Sequence, residues 1–137
     1  KYVLTRAVFD ASASGSPGFN FAGTALADQR AATGAGDWFA FTLQPNGNTV
    51  EYERLSFYSD QYGTSARLDI GYTIGTTETF VLRNYLLPAN DAPVERKEID
   101  FTDFSSAQDV TWTFYLYGAA ADNHGSRFDD IALFGSH

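Results

Sequence analysis

The fold class is decided by residues 67–74, Arg-Leu-Asp-Ile-Gly-Tyr-Thr-Ile. Apolar residues occupy every second position from Leu68 to Ile74, and polar residues or glycine occupy the positions between them. Successive side chains of an extended chain point to opposite faces, so this period of two predicts a β-strand with one buried face. A slip of one residue would turn the apolar set to the other face, which fixes the register of the strand.

Similar segments recur on both sides of this stretch. Further strands are predicted over residues 2–10, 37–43, 51–59, 79–86, 98–101, 110–117 and 127–134. Turn-forming residues separate them, and 45–48 (Pro-Asn-Gly-Asn) predicts a hairpin between its neighbouring strands, whereas 11–18 and 22–32 are predicted as loops. Roughly eight strands without helices between them predict an all-β fold. The expected architecture is a two-sheet antiparallel β-sandwich of jelly-roll type, with a lipocalin-like barrel as the alternative.

Length and composition limit the classes of function. The 137 residues fit a single domain, 1–137, and Gly135–His137 are candidates for vector-derived residues. The net charge is −8 and the nine Lys and Arg residues are scattered, which argues against nucleic acid and anionic membrane as partners. Apolar runs are only a few residues long, so no membrane span is predicted. The sequence has no cysteine, which excludes disulfides and thiolate chemistry.

The last third of the sequence carries a family resemblance. Residues 110–118 (VTWTFYLYG) and 127–135 (RFDDIALFG) resemble the closing portion of bacterial extracellular jelly-roll domains related to carbohydrate-binding modules, especially those of PEP-CTERM-sorted surface proteins. Residues 37–43 and 55–57 resemble the same pattern in the same order, so the resemblance covers most of the chain from Asp37 onward. It implies a secreted or extracellular, non-catalytic, polysaccharide-binding domain, which could be appended to a larger enzyme or surface protein.

The resemblance also implies a structural calcium ion. In carbohydrate-binding jelly rolls the first and last strands often share such an ion, and the matching acidic residue of the closing motif is Asp129. Asp10, at the end of the first predicted strand, is the expected second ligand and Asp130 a further one, because Ca²⁺ prefers six to eight oxygen ligands. The alternative is that Arg127 or backbone amides satisfy Asp129 and that no metal is bound.

One face of the predicted sandwich is a candidate binding surface. Sugar rings have apolar faces rimmed by hydroxyl groups, so a site for them needs aromatic rings beside directional polar groups. If the apolar residues 112, 114 and 116 face the core, Tyr115 and Tyr117 face outward together. The same alternation places on the non-core side Trp38, Tyr58, Arg67 and Asp69.

Two alternatives to this face stay open. Loops could cover it, in which case the tyrosines form a second layer of the core. The site could also lie at a loop edge, since loops often carry recognition on a rigid scaffold. The residues of that edge are Tyr62, Asn84, Tyr85 and His124.

A catalytic interpretation is weaker. Residues 98–103 (EIDFTD) resemble the Glu-Ile-Asp-x-x-Glu signature of retaining jelly-roll glycoside hydrolases, but Asp103 replaces the second glutamate. The Asp103 side chain is too short to give the separation of about 5–5.5 Å that a retaining pair of carboxyl groups needs. We therefore predict a non-enzymatic polysaccharide-binding module. The alternative is an adhesive or self-assembling structural protein of the bacterial surface, in which the aromatic face or an unpaired sheet edge packs against a neighbour.

Overall fold

The computed structural model describes residues 2–7, 19–22, 38–61, 63–89, 95–118 and 125–136, and for 2–7, 19–22, 125, 127 and 129 it describes the backbone alone. These residues form the strands β1 (Tyr2–Ala7), β2 (Phe19–Ala22), β3 (Trp38–Leu43), β4 (Val50–Gln61), β5 (Arg67–Ile74), β6 (Thr77–Leu86), β7 (Arg96–Ser106), β8 (Val110–Tyr117) and β9 (Gly125–Ser136). A five-stranded antiparallel sheet has the order β1-β9-β4-β7, with β2 also paired to β9, and a four-stranded antiparallel sheet has the order β3-β8-β5-β6. The predicted all-β, two-sheet sandwich is confirmed.

Across the described ranges, no helical segment has the length and hydropathy of a membrane span.

The two most regular predicted strands form the centre of the four-stranded sheet. β5 and β8 pair without a register shift, from residue 67 opposite 117 to residue 74 opposite 110. Leu68 and Ile70 of β5 and Phe114 of β8 are completely buried on the inner face. The period-two pattern therefore fixed both the strands and the faces that they turn to the core.

Aromatic rings fill the space between the sheets in two clusters. The first consists of Phe39, Phe57, Phe114 and Phe128. The second consists of Tyr52, Tyr72, Phe101, Phe104 and Trp112. Each cluster draws rings from both sheets; for example, Tyr72 of β5 stacks on Phe104 of β7 with ring centroids 4.0 Å apart. These contacts hold the sandwich together, because large rings bury much apolar area and gain from specific ring geometry.

The predicted hairpin at residues 45–48 is wrong, although the turn itself is present. Asn46 and Gly47 have φ values of 53° and 87°, and the backbone N–H of Asn48 donates to the Pro45 carbonyl at 3.2 Å. The turn nevertheless joins β3 of one sheet to β4 of the other. The Pro-Asn-Gly signal fixes a local change of direction, whereas strand pairing depends on distant partners such as β8 for β3.

Other differences lie at the ends of elements. β2 is not predicted from the sequence, and β7 is a continuous strand through Ser106 rather than a short one ending at Phe101. The first strand is described as far as Ala7, so the end of the predicted segment 2–10 lies outside the described residues, as do the predicted loop residues 11–18 and 23–32.

Candidate functional site

The outer face of the four-stranded sheet collects five of the six predicted ligand-binding residues. Trp38 of β3, Tyr115 of β8 and Asp69 of β5 lie in register across three neighbouring strands. In the next outward-facing row Tyr117 lies opposite Arg67. Phe80 and Arg83 of β6 complete the surface, since Phe80 contacts Tyr115 and Arg83 contacts Asp69. We call this surface the aromatic face, defined by Trp38, Arg67, Asp69, Phe80, Arg83, Tyr115 and Tyr117.

Asp69 is the polar centre of the aromatic face. It is 2% exposed, and its Oδ1 accepts hydrogen bonds from the Tyr117 hydroxyl at 2.8 Å and from the backbone N–H of Asn84 at 2.7 Å. Its Oδ2 lies 3.0 Å from Nε of Arg83. A buried carboxylate needs such partners because its charge has lost the solvation of water. The two hydrogen-bond donors and the ion-pair partner come from β6 and β8, so Asp69 ties three strands together.

A local irregularity of β6 supplies one of these donors. The pairing of β5 with β6 shifts register between Leu68 and Ile70, and Asn84 has a φ of 57°. Extra residues in a bulged strand are left out of the ladder, and Asn tolerates left-handed backbone better than most residues. The N–H of Asn84 is therefore free to bind the Asp69 side chain instead of a strand partner.

The middle of the aromatic face is covered by side chains of β6. A Cβ atom placed on Gly71 would lie 3.2 Å from both the Glu78 and Phe80 side chains, so these side chains lie directly over the glycine. The Tyr115 hydroxyl donates to the Glu78 carboxylate. Tyr115 and Tyr117 are consequently only 7% and 8% exposed, although both point away from the core. The two tyrosine rings thus lie at the base of the aromatic face and do not protrude from it.

Trp38 and Arg83 are the most exposed groups of the aromatic face. Trp38 is 42% exposed, and the side chain of Arg83 is 61% exposed. The Arg83 guanidinium carbon lies 4.3 Å from the centroid of the Phe80 ring, a cation–π arrangement. An indole on one strand and a fixed guanidinium on another are therefore offered to a ligand at the surface.

The environment of Tyr117 predicts a dependence of stability on alkaline pH. Burial, followed by the hydrogen bond to Asp69, raises the pKa of Tyr117 from 10.0 to about 12. The folded state thus favours the neutral phenol, and this stabilisation is complete below pH 10 and is lost as the pH rises through about 12. Urea unfolding at pH 9–12 should show stability falling less steeply in Tyr117→Phe than in the unmodified protein. The same dependence of stability on pH in both proteins would contradict the raised pKa of Tyr117.

Tyr58, the sixth predicted ligand-binding residue, lies in the other sheet. It belongs to β4, and the guanidinium carbon of Arg96 lies 4.5 Å from the centroid of its ring. Arg96 also donates to the Ser56 hydroxyl at 2.7 Å and forms an ion pair with Asp130. The structure therefore separates Tyr58 from Tyr115 and Tyr117.

A groove of about 680 Å³ lies on the outer face of the five-stranded sheet, apart from the aromatic face. Its lining includes Glu53, Arg54, Glu98, Asp100, Asp103 and Phe134. Arg54 lies over the Phe134 ring at 4.4 Å from its centroid. Four carboxylates against one guanidinium give this groove an acidic character. It also contains the acidic residues of the segment 98–103 that resembles a hydrolase signature.

The predicted calcium ligands are only partly described. Asp10 and the side chain of Asp129 lie outside the described residues, while the Asp130 carboxylate is paired with Arg96. A different group, Glu51, Glu53 and Asp103, has carboxylate oxygens within 4.8 Å of one another and could hold a metal ion. Oxygen ligands of this kind suit hard cations such as Ca²⁺.

The two described residues of the alternative loop edge have different surroundings. Tyr62 and His124 lie outside the described residues. Asn84 belongs to the Asp69 network, whereas Tyr85 packs against the core and lies 4.9 Å from the Lys97 ammonium.

Phe80 and Arg83 were missed by the sequence analysis. Glu78 and Phe80 do alternate within β6, and the turn at Gly75, with a φ of 62°, joins β6 to the clearly predicted β5. Pairing the two strands through this turn would have brought Phe80 to the aromatic face. The register shifts then move Arg83 out of simple alternation, so its position is not readable from the pattern.

No protein-family model matches the sequence, and a search of the curated proteins finds no match. Among solved structures, the chain is similar to one described as "CBM4 structure and function", with a TM-score of 0.52 and 15% identity over 96% of this chain and 94% of that chain. A structure described as "Family 16 Carbohydrate Binding Module-2" matches with a TM-score of 0.41 and 16% identity over 94% of this chain and 84% of that one. The first likeness supports the fold derived above: the chain is a β-sandwich similar to that of a carbohydrate-binding module.

Proposed function

We propose that this chain is a non-catalytic module that binds polysaccharide on its aromatic face. The observation that carries the proposal is the exposed Trp38 indole, in register with Tyr115 and Asp69, with the Arg83 guanidinium paired to Asp69 at the other side of the same sheet. Indole and phenol rings can stack on the apolar face of a sugar, while directional polar groups bind its hydroxyls. The likeness in fold to the carbohydrate-binding module structure is consistent with this role.

Preorganisation supports the same proposal. Asp69 holds Arg83 in one direction through a contact of 3.0 Å, and the Phe80 ring supports the guanidinium from below. A side chain that is already fixed loses less conformational entropy when a ligand binds. Modest glycan affinity therefore does not require a deep pocket.

Replacing Trp38 with alanine tests the proposed site. Trp38→Ala should weaken binding to the preferred polysaccharide about tenfold or more, because a central aromatic contact is typically worth at least that factor, and should leave the melting temperature nearly unchanged. Affinity electrophoresis on gels containing a panel of soluble polysaccharides measures the effect. The matched control is Phe134→Ala, which removes an aromatic ring from the opposite sheet. Equal retardation of Trp38→Ala and the unmodified protein would contradict the proposal.

The proposal includes the absence of hydrolytic activity. It is supported by Asp103, whose side chain is one methylene shorter than the glutamate of the hydrolase signature. Incubation with the polysaccharide that is bound should release no reducing ends, and sustained release would contradict a purely binding role.

A location outside the cell on a bacterial surface is also part of the proposal, as is attachment to a larger enzyme or surface protein. Both are supported by the resemblance of residues 127–135 to the closing segment of secreted jelly-roll domains. Antibody detection in cell fractions would test the location.

Calcium binding at Asp10, Asp129 and Asp130 stays a prediction within this proposal. An ion that binds only the folded state stabilises it by about 2.7 kcal/mol at a hundredfold excess over its dissociation constant. Thermal unfolding after exhaustive chelation should therefore give a lower melting temperature, which added Ca²⁺ restores. An unchanged melting temperature would count against the ion.

Self-assembly is the second candidate function. Trp38 and Leu86 are the exposed large apolar residues of the described chain, and they lie on β3 and β6, the two outer strands of the four-stranded sheet. Exposed apolar groups on edge strands favour pairing with another chain. Sedimentation equilibrium at micromolar concentration distinguishes the two functions, since an ordered oligomer that binds no glycan would favour assembly.

A further inference from the structure

The charged groups of the aromatic face point to the chemical class of its ligand. We propose that this face selects acidic polysaccharides and that Arg83, assisted by Arg67, binds the carboxylate or sulfate groups of the polymer. The inference rests on the proposed polysaccharide-binding function and adds the charge of the ligand to it.

Arg83 has the geometry of an anion-binding group. Its Nε is bound by Asp69, its planar group lies over Phe80, and its side chain is 61% exposed. Within the part of the chain that the structure describes, its two terminal nitrogens have no hydrogen-bond partner. These nitrogens present parallel donors to the solvent, the arrangement that matches the two oxygens of a carboxylate or sulfate group.

A second guanidinium lies at the same end of the aromatic face. Nη1 of Arg67 donates to the Asn84 carbonyl at 3.4 Å, and Asn84 directly follows Arg83 in β6. Two of the nine basic residues of the chain therefore converge on one end of the aromatic face. A polymer with a charge on every sugar could contact both.

The acidic groups of the same face are already occupied. Asp69 is buried, accepts two hydrogen bonds and is ion-paired with Arg83, and Glu78 accepts the hydrogen bond of Tyr115. A neutral sugar hydroxyl acts as both donor and acceptor, whereas a carboxylate or sulfate group only accepts. Because this face offers mainly free donors to the solvent, it matches an anionic ligand better than a neutral one.

The rest of the protein would not attract such a polymer. The net charge is −8, and the groove on the five-stranded sheet is lined by Glu53, Glu98, Asp100 and Asp103. Long-range attraction to a polyanion is therefore lacking, so selectivity for one has to come from local contacts. On the aromatic face, Arg83 and Arg67 supply such contacts.

The test compares polymers that differ only in charge. Isothermal titration of the full chain with polygalacturonate and with its fully methyl-esterified form tests carboxylate binding, and dextran sulfate against dextran tests sulfate binding. The acidic member of at least one pair should bind about tenfold more tightly or better, because one charge-assisted hydrogen bond supplies such a factor. The pair that shows the difference identifies the anionic group.

Variants connect the selectivity to the site. Arg83→Gln should abolish the preference for the acidic polymer while keeping weak binding to the neutral one, and Arg83→Lys should restore only part of the preference because it keeps the charge but lacks the planar donors. Arg54→Gln, which removes a guanidinium from the other sheet, is the matched control and should keep the full preference. Melting temperatures confirm that each variant is folded.

The outcomes separate this inference from the proposed function. Equal or tighter binding of the neutral polymers, or a preference that survives Arg83→Gln, would overturn the inference and leave the proposed function standing. Failure to bind any charged or neutral polysaccharide would overturn both.

Discussion

Replacing Trp112 with alanine should lower the free energy of unfolding by about 3–5 kcal/mol, the usual cost of removing a fully buried large aromatic ring. Trp112 is completely buried and contacts four rings of the second aromatic cluster, from both sheets. The cavity left by the indole could not collapse without moving strands of two sheets. A loss of this size is a large fraction of the stability of a small domain, so the variant should be close to unfolded at 37 °C.

Urea unfolding followed by far-ultraviolet circular dichroism measures this loss without depending on the indole. Trp112→Phe is a milder companion, because it keeps a ring in the cluster and removes an indole nitrogen that has no hydrogen-bond partner among the described residues. Trp38→Ala is the second comparison, since it removes the same side chain from an exposed position. Similar stability losses for Trp38→Ala and Trp112→Ala would contradict the placement of the two indoles.

Replacing Asp69 with alanine should have the next largest effect, a loss of about 2–3 kcal/mol in unfolding free energy together with weaker glycan binding. The substitution leaves the Tyr117 hydroxyl and the Asn84 N–H without their acceptor and releases Arg83. The ion pair itself contributes little to the loss, since the Arg83 side chain is largely exposed. The stability cost comes mainly from the buried Tyr117 hydroxyl and the part-buried Asn84 N–H.

Asp69→Asn separates the two effects. An amide can keep its oxygen toward Tyr117 and Asn84 and then turns its nitrogen toward Arg83, which it cannot bind. This variant should therefore keep more stability than Asp69→Ala but lose as much affinity for an acidic polymer as Arg83→Gln. Urea unfolding and titration with the same polymer give both quantities. Full affinity in Asp69→Asn would show that anchoring of Arg83 by Asp69 does not matter for binding.

Much of the fold could be predicted because alternation is a local property. The buried faces of β5 and β8 follow directly from the order of residues 67–74 and 110–117. Pairing is not local, so the turn at Asn46 was taken for a hairpin although its two strands enter different sheets. β2 escaped prediction because it has only four residues, too few to display a period.

In the candidate site, too, the local alternation was predictable and the non-local pairing was not. Alternation correctly turned Tyr115, Tyr117 and Asp69 away from the core, but it cannot say to which sheet an outward residue belongs, so it grouped Tyr58 with them. It also assumes an unbroken register, and the shifts in β6 place Arg83 beside Asp69 in a way that no period of two describes. The placement of the binding residues on this face stays a prediction until ligand binding is measured.

The two tryptophans lie in opposite environments, one at the surface of the aromatic face and one at the centre of the ring cluster. Indole emission shifts toward the blue in apolar surroundings, so the intrinsic fluorescence of this chain combines a red component from Trp38 with a blue component from Trp112. A ligand that covers Trp38 would alter the red component alone, whereas unfolding would alter the blue one. The chain therefore carries separate optical reporters of occupancy and of folding, and a Trp112→Phe background would isolate the reporter of occupancy.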